Sequence, residues 1–236
     1  MKTATLIRAI LTACVILTAA MSPLFATDES RNIPGWGVCV DPDGDCQFSV
    51  KDGKLTISIP GRDHALAIER GRTNAPRVMQ EAEGNFTVTV KVATDYAPGT
   101  TSVVQTRRAF QGAGLVLWQD DGNYVRLERA QLVVGAETMK YASFELRRDG
   151  QFTKPGFANE HPLKTPTTWL RLERQSNQIM AAVSEDGQKW ESLKPLRVDL
   201  SRNLKVGVLA GHNTSTPMSA VFQDFKVSSP GNPEKR

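Results

Sequence analysis

One group of residues in this chain combines aromatic, arginine and glutamate side chains within short alternating segments. In each segment these residues occupy every second position, between apolar residues such as Leu115, Val125 and Leu170. Alternate side chains of a β-strand point to the same face. An aromatic ring there could stack on the C–H face of a sugar, while charged groups bond its hydroxyls. The residues predicted to contact a ligand are Trp118, Tyr124, Arg126, Glu128, Glu145, Trp169, Arg171 and Glu173.

The same residues have two other interpretations. Arginine and glutamate on one strand face also pair across a solvated sheet, an arrangement that needs no ligand. Alternatively, Glu128 and Glu173 could be the two carboxylates of a glycosidase, which lie about 5–5.5 or 6.5–9.5 Å apart. Arg126 and Arg171, two residues before these glutamates, would lower their pKa and oppose a proton-donating role. The sequence therefore assigns no catalytic residue.

A second group, Asp41, Asp43 and Asp45, alternates along a short polar segment. Calcium prefers oxygen ligands of this kind, so these aspartates are candidate ligands for Ca²⁺. The spacing departs from the EF-hand loop because Gly44 comes too early. A polar turn built on Pro42 and Gly44 is the alternative. No other cofactor is expected, because the histidines are isolated and no catalytic or phosphate-binding motif is present.

The first 26 residues are typical of a signal peptide. Lys2 and Arg8 supply a positive start, and Ala9–Ala20 is an apolar stretch broken only by threonines. This stretch is shorter than the roughly 20 residues of a membrane-spanning helix. A membrane anchor, or lipid attachment at Cys14, remains an alternative. We expect cleavage after residue 26, no remaining membrane span, and a secreted or periplasmic protein.

Cleavage would leave Cys39 and Cys46 as the only cysteines. In an oxidising compartment such a pair predicts one disulfide, whereas two free thiols would be expected in a reducing one. Loss of Lys2 and Arg8 would also lower the net charge from +4 to +2. That charge is small and dispersed, so we expect no nucleic-acid partner.

Most of the remaining chain shows a hydrophobic period of two. In the segment from Phe86 to Val92 four apolar residues alternate with Thr and Lys, as in a half-buried strand. Asp-Gly pairs separate such runs and favour hairpin turns; they stand at positions 52–53, 121–122, 149–150 and 186–187. Only the segment 75–83 is ambiguous. The sequence predicts one all-β domain over residues 33–228 and a flexible tail over 229–236.

Three stretches carry a family resemblance. They comprise residues 112–128, residues 169–190, and residues 206–210 with 220–225. Together they resemble the concanavalin A-like lectin/glucanase superfamily, in particular an uncharacterised branch related to the C-terminal sandwich of family-43 β-xylosidases. The resemblance implies an antiparallel two-sheet jelly-roll β-sandwich with a concave face that often binds carbohydrate. The Glu-x-Asp-x-Glu strand of the catalytic glucanases is absent.

These observations favour a secreted, non-catalytic binding module for carbohydrate or another cell-surface ligand on the concave sheet face. A glycoside hydrolase, or a structural or protein-interaction domain without a small ligand, is the alternative. Fold alone does not decide among them. Neither the ligand nor the oligomeric state follows from the sequence.

Overall fold

A computed structural model describes residues 31–153 and 161–229 of the chain. The predicted signal peptide and the tail beyond residue 229 lie outside the described residues. The regular secondary structure of the described residues is β-strand, apart from one 3₁₀ turn over Ile68–Arg70. Its strands are β1 Asn32–Ile33, β2 Gly37–Val40, β3 Gln47–Lys51, β4 Lys54–Ile59, β5 Leu66–Ala67, β6 Arg72–Thr73, β7 Arg77–Glu83, β8 Phe86–Val92, β9 Phe110–Asp120, β10 Asn123–Val134, β11 Glu137–Arg148, β12 Gln151–Thr153, β13 Thr168–Gln175, β14 Gln178–Ser184, β15 Glu191–Ser192, β16 Leu196–Arg197, β17 Asn203–His212 and β18 Met218–Ser228.

The strands form two large antiparallel sheets. Sheet A has the order β1-β2-β7-β17-β9-β10-β11-β12. Sheet B has the order β15-β14-β13-β8-β18-β4-β3, and β16 also pairs with β14. Neighbours in sheet A are often distant in sequence, as when β17 pairs with both β7 and β9. This is an antiparallel two-sheet jelly-roll β-sandwich, and the predicted fold class is confirmed.

The space between the sheets is filled by the alternating apolar residues. On β8, Phe86, Val88 and Val90 are at most 1% exposed. On β10, Val125 and Leu127 point into the same core. The ambiguous segment 75–83 forms β7, one of the strands of sheet A. The period of two therefore identified which face of each strand is packed against the opposite sheet.

Two of the predicted Asp-Gly hairpins have a turn in which both residues adopt positive φ. Asp52 and Gly53 have φ of 50° and 72°, and Asp149 and Gly150 have φ of 51° and 73°. These angles match the two-residue turns that suit the twist of a hairpin. The β11–β12 turn lies beside the cleft described below.

A segment that we call the strap, residues 61–75, crosses the outer face of sheet A. It contains β5, the 3₁₀ turn and β6. His64 exchanges two backbone hydrogen bonds of 2.9 Å with His212 on β17. Gly211 permits this approach, because a Cβ there would lie 2.7 Å from the carbonyl oxygen of His64. Beneath the strap is a second apolar cluster, which consists of Leu66, Ala75, Met79, Val116, Trp118, Tyr124 and Leu209.

Across the described part of the chain, no helix is long and apolar enough to span a membrane.

Candidate functional site

A cleft of about 300 Å³ opens between the strap and the outer face of sheet A. Its floor is formed by side chains of β10 and β11, its wall by the strap, and its rim by the loop before β9 and by β12. The floor residues are Arg126, Glu128, Tyr141, Glu145 and Arg147. All five are at most 9% exposed.

Glu145 is the centre of a network of charges on this floor. Its carboxylate accepts hydrogen bonds from Arg126, from Arg147 and, at 2.8 Å, from the Ser143 hydroxyl. Arg126 also lies 3.4 Å from the Glu128 carboxylate. Because buried charges need partners, these contacts fix the positions of the floor side chains.

The network is tied to the strap as well. Arg126 Nη1 donates to the carbonyl oxygen of Leu66 at 2.8 Å. Arg147 donates to both carboxylate oxygens of Glu69, at 3.0 and 2.9 Å. A bidentate arginine–carboxylate pair restrains both distance and orientation. The floor and the wall of the cleft are therefore held together by charged hydrogen bonds.

The protonation states of the floor follow from these contacts. Burial opposes ionisation of Glu145, but the charges and hydrogen bonds of Arg126 and Arg147 hold its pKa far below the ordinary value. Burial, with the nearby Glu145 and Glu128, raises the pKa of the Tyr141 hydroxyl. The floor thus presents an ionised carboxylate and a protonated phenol. Glu145 is unsuited to donate a proton as a catalytic acid.

Two predicted ligand contacts, Trp118 and Tyr124, do not line the cleft. Both lie on the outer face of sheet A, as the alternation requires, but the strap covers them, and they are 8% and 0% exposed. Their rings stack with centroids 5.2 Å apart. The Tyr124 hydroxyl accepts a hydrogen bond from the backbone N–H of Ile68 at 3.3 Å. These aromatic rings support the strap, which corrects the expectation that they face a ligand.

Three other predicted contacts, Trp169, Arg171 and Glu173, belong to a different sheet. They project from β13 on the outer face of sheet B, where Arg171 lies 4.3 Å from the centre of the Trp190 ring. Arg126, Glu128 and Glu145 project from the opposite side of the sandwich. The expectation of one continuous face is therefore wrong.

The same arrangement excludes the predicted glutamate pair. Packed sheets lie about 10 Å apart, and the side chains of Glu128 and Glu173 point away from one another on the two outer faces. They cannot approach to the distance that glycoside hydrolysis requires.

Several residues of the cleft were not selected from the sequence. Tyr141 shares the face of Glu145 and Arg147 on β11, so the same alternation could have identified it. Glu69 comes from the strap, which has no repeating pattern. Phe152 on β12 is 44% exposed and lies at the rim, with the Arg147 guanidinium 4.4 Å from its ring centre. Phe152 is the exposed aromatic ring that the predicted site lacked.

The predicted calcium ligands do not gather around one point. Asp41 accepts the backbone N–H of Cys46 at 2.8 Å, and Asp43 accepts a hydrogen bond from the Asn74 amide at 2.8 Å. Asp45 Oδ1 lies 3.0 Å from Nε2 of His64. Within the described ranges, only Asp45, Cys46 and His64 bring three potential metal-binding atoms together. An all-aspartate calcium site is therefore not formed.

The predicted disulfide is not present either. Cys39 lies on β2 of sheet A, whereas Cys46 immediately precedes β3 of sheet B, and both are free thiols. Burial is the main cause that raises the pKa of the Cys46 thiol, and Asp41 and Asp45 raise it further. Cys46 is accordingly a protonated, half-buried thiol beside two carboxylates.

Solved structures with the same fold include both whole proteins and modules. A functionally unknown protein from Saccharomyces cerevisiae is 18% identical, with a TM-score of 0.62 over 84% of this chain and 98% of that one. The GH43 BlXynB protein from Bacillus licheniformis is 15% identical, with a TM-score of 0.61 over 86% of this chain. Only 38% of the BlXynB chain is covered, so the likeness concerns one part of that protein.

The carbohydrate-binding module CBM66 from Bacillus subtilis is 10% identical, with a TM-score of 0.51 over 84% of this chain and all of that module. These similarities show a shared fold and no more. No curated protein matches the sequence. A family model described as "Protein of unknown function (DUF1349)" matches residues 67–230. This match covers most of the sandwich, and the chain belongs to the DUF1349 family.

Proposed function

We propose that this protein is a secreted, non-catalytic carbohydrate-binding module whose ligand occupies the cleft between the strap and sheet A. The observation that carries the proposal is an exposed aromatic ring, Phe152, beside a floor of buried charged groups already held in place. Sugar sites combine these two elements, because rings contact C–H faces and fixed polar groups bond hydroxyls. The carbohydrate-binding module CBM66, which shares the fold, supports this choice.

The size of the cleft supports a small occupant. A volume of about 300 Å³ is at the lower end of the range of ligand pockets, about 300–1,000 Å³. One or two sugar rings at the end or along the side of a chain would fill it. The hydrogen-bonded network costs little further side-chain entropy on binding, because its members are already ordered.

The charged residues around the cleft favour an acidic ligand. The residues lining the cleft include Arg70, Arg107 and Arg108 at its edge, and arginines outnumber glutamates in the lining. An excess of positive charge attracts carboxylated sugars and makes their binding weaker at high salt. We expect polysaccharides of uronic acids to bind more tightly than neutral ones.

Export forms part of the proposal. Residues 1–26 have the features of a signal peptide, and a polysaccharide ligand would be met outside the cytoplasm. Identifying the N-terminal residue of the protein recovered from its native host tests this part. A mature chain that begins near residue 27 is expected, and an intact leader would contradict export.

Affinity gel electrophoresis tests binding directly, with a uronic-acid polysaccharide in one gel and xylan in another. We expect retardation of the protein, more strongly by the acidic polymer. Phe152→Ala should weaken binding about tenfold, which corresponds to about 1.4 kcal/mol. Phe152 is exposed, so this change removes the ring without opening the core.

Trp190→Ala is the matched control, because Trp190 is an aromatic residue beside Arg171 on the outer face of sheet B. If Trp190→Ala loses binding while Phe152→Ala binds like the wild type, the ligand site lies on sheet B and the proposed cleft is wrong. Absence of binding to a broad glycan array would contradict the carbohydrate proposal and favour a protein-interaction domain.

A further inference from the structure

A small polar cluster lies where the loop before β3 meets the strap, outside the charged floor of the cleft. Asp45, Cys46 and His64 each direct one potential ligand atom to it, and these three atoms lie within 4.8 Å of one another. The Asp43 carboxylate lies beside them. We propose that Asp45, Cys46 and His64, with Asp43 as the fourth ligand, bind a divalent transition-metal ion of the zinc type.

The distances between the ligand atoms suit a tetrahedral ion. Zinc lies about 2.0 Å from oxygen or nitrogen and about 2.3 Å from sulfur, so tetrahedral neighbours are separated by about 3.3 Å, or about 3.5 Å when one is sulfur. Asp45 Oδ1 lies 3.0 Å from His64 Nε2 and 3.5 Å from Cys46 Sγ. Asp43 Oδ2 lies 3.7 Å from His64 Nε2. Asp45, Cys46 and His64 are already grouped, whereas the Asp43 side chain is near His64 alone and must rotate toward the other two to become the fourth ligand.

His64 is oriented as metal-binding histidines are. Its ring is fully buried, and Nδ1 lies 3.2 Å from the carbonyl oxygen of Arg62. A proton on Nδ1 donates to that carbonyl and leaves the Nε2 lone pair directed at the carboxylates of Asp43 and Asp45. The oxygen acceptors at Nε2 call for a cation at this position, which either a ring proton or a metal ion supplies. A metal ion at this point satisfies the nitrogen and both carboxylates together.

The loop that carries three of the ligands is already shaped. Asp41 accepts the backbone N–H of Cys46 at 2.8 Å, and its own carbonyl accepts the N–H of Gly44 at 3.2 Å. The other carboxylate oxygen of Asp41 is buried and, within residues 31–153 and 161–229, has no hydrogen-bond partner. A buried oxygen of this kind beside the cluster is the place where an ion or its bound water is expected.

The donor set determines the class of metal. Sulfur and imidazole favour zinc and its neighbours over calcium and magnesium, which prefer oxygen. Ligation converts the Cys46 thiol to a thiolate and releases its proton to solvent. The thiolate and two carboxylates then carry three negative charges. A divalent ion and the guanidinium of Arg62, which is paired with both Asp43 and Asp45, balance them.

Such an ion would join two parts of the molecule that are separate in sequence. Cys46 leads into β3 of sheet B, whereas His64 belongs to the strap over sheet A and also lines the cleft. The metal would therefore fasten the strap to the loop before β3. Its role would be structural support of the cleft wall, independent of which ligand the cleft accepts.

Cobalt binding tests the proposal. The purified protein is reduced with a phosphine, freed of metal, and titrated with Co²⁺. We expect one equivalent to bind, with visible bands of a tetrahedral ion and a near-ultraviolet band from the cobalt–thiolate bond. Zn²⁺ should displace it and raise the melting temperature, because an ion that binds only the folded state stabilises it.

Cys46→Ser should abolish the near-ultraviolet band and weaken Zn²⁺ binding by at least the roughly 10–100-fold known for changes in groups that support ligands. Cys39→Ser removes the other half-buried thiol and should change neither quantity. Asp45→Asn is a second variant of nearly unchanged shape. Circular dichroism of each metal-free variant establishes that it is folded.

Weak Zn²⁺ binding equal in the wild type and in Cys46→Ser would overturn the proposal. The cluster would then be an ion pair between protonated His64 and Asp45. A visible spectrum of octahedral cobalt without the near-ultraviolet band would also contradict it, because it would place the ion on surface carboxylates alone.

Discussion

Glu145 compensates two buried arginines, and this is the strongest constraint on any single residue of the cleft floor. Arg126 and Arg147 both donate to its carboxylate, and all three side chains are at most 11% exposed. Without the Glu145 charge, Arg126 would keep only Glu128 and Arg147 only Glu69 as an acidic partner, so the compensation of both buried arginines would be weakened. The network therefore serves the folded structure as well as any ligand.

We expect Glu145→Gln to lower the free energy of unfolding by about 1–3 kcal/mol, the range for losing buried hydrogen bonds to charged groups, because Arg126 and Arg147 each keep one other carboxylate partner. Glu173→Gln provides the comparison, because Glu173 is a partly exposed glutamate on the outer face of sheet B and should change stability by less than about 0.5 kcal/mol. Urea denaturation of the two variants measures both values. Equal effects would show that the network contributes no more than a surface charge.

The same network predicts how stability depends on pH. The pKa of Glu145 is lowered in the folded state, despite burial, by Arg126 and Arg147, so the unfolded chain takes up its proton first as the pH falls. The stabilisation is complete above the unfolded-state value of about 4.3 and is lost as the pH decreases below it. Denaturation series between pH 7 and pH 3 should show this loss. The Glu145→Gln variant should lose less stability over the same pH range. An equal loss in the variant and the wild type would show that Glu145 does not cause the pH dependence.

At the scale of elements, glycines let the central strands of sheet A approach closely. Gly207 on β17 faces β7, and a Cβ there would lie 1.9 Å from the carbonyl oxygen of Val78. Gly114 on β9 faces β10, and a Cβ there would lie 2.0 Å from the carbonyl oxygen of Leu127. Backbone atoms cannot move aside as a flexible side chain can. These positions require glycine so that the strands keep their pairing.

Gly207→Ala should accordingly lower the melting temperature strongly, or prevent accumulation of folded protein. Gly122→Ala, in the β9–β10 turn, is the control, because a Cβ there would meet its nearest neighbour at 3.3 Å. Thermal unfolding followed by circular dichroism compares the two. Similar melting temperatures for both variants would mean that β17 and β7 can accommodate a methyl group at position 207 without loss of stability.

Considered as a whole, the sandwich has two outer faces with different character. The face of sheet A is covered in part by the strap and contains the cleft, whereas that of sheet B carries partly exposed residues around Trp169 and Trp190. The comparison of Phe152→Ala with Trp190→Ala belongs to this scale, because it asks which face meets the ligand. The cleft is favoured because its polar groups are fixed by contacts from two directions.

The sequence predicted the strands, several turns and the core face of each strand, because alternation of apolar residues reports directly on burial. It placed Arg126, Glu128 and Glu145 together on that basis. It could not place Trp169 relative to them, because alternation shows the face of a strand but not the sheet to which the strand belongs. The strap was not predicted, since an irregular segment has no period, and its coverage of Trp118 therefore went unrecognised.

Hydrogen bonds fasten the strap at both of its sides, among them the paired backbones of His64 and His212 and the bidentate contact of Glu69 with Arg147. Widening the entrance would break one of these anchorages. A ligand must then fit the opening as these contacts hold it, and we expect binding without a slow closing step. Association would be governed by diffusion and by the orientation of the incoming molecule, and molecules too broad for the opening would be rejected by shape alone.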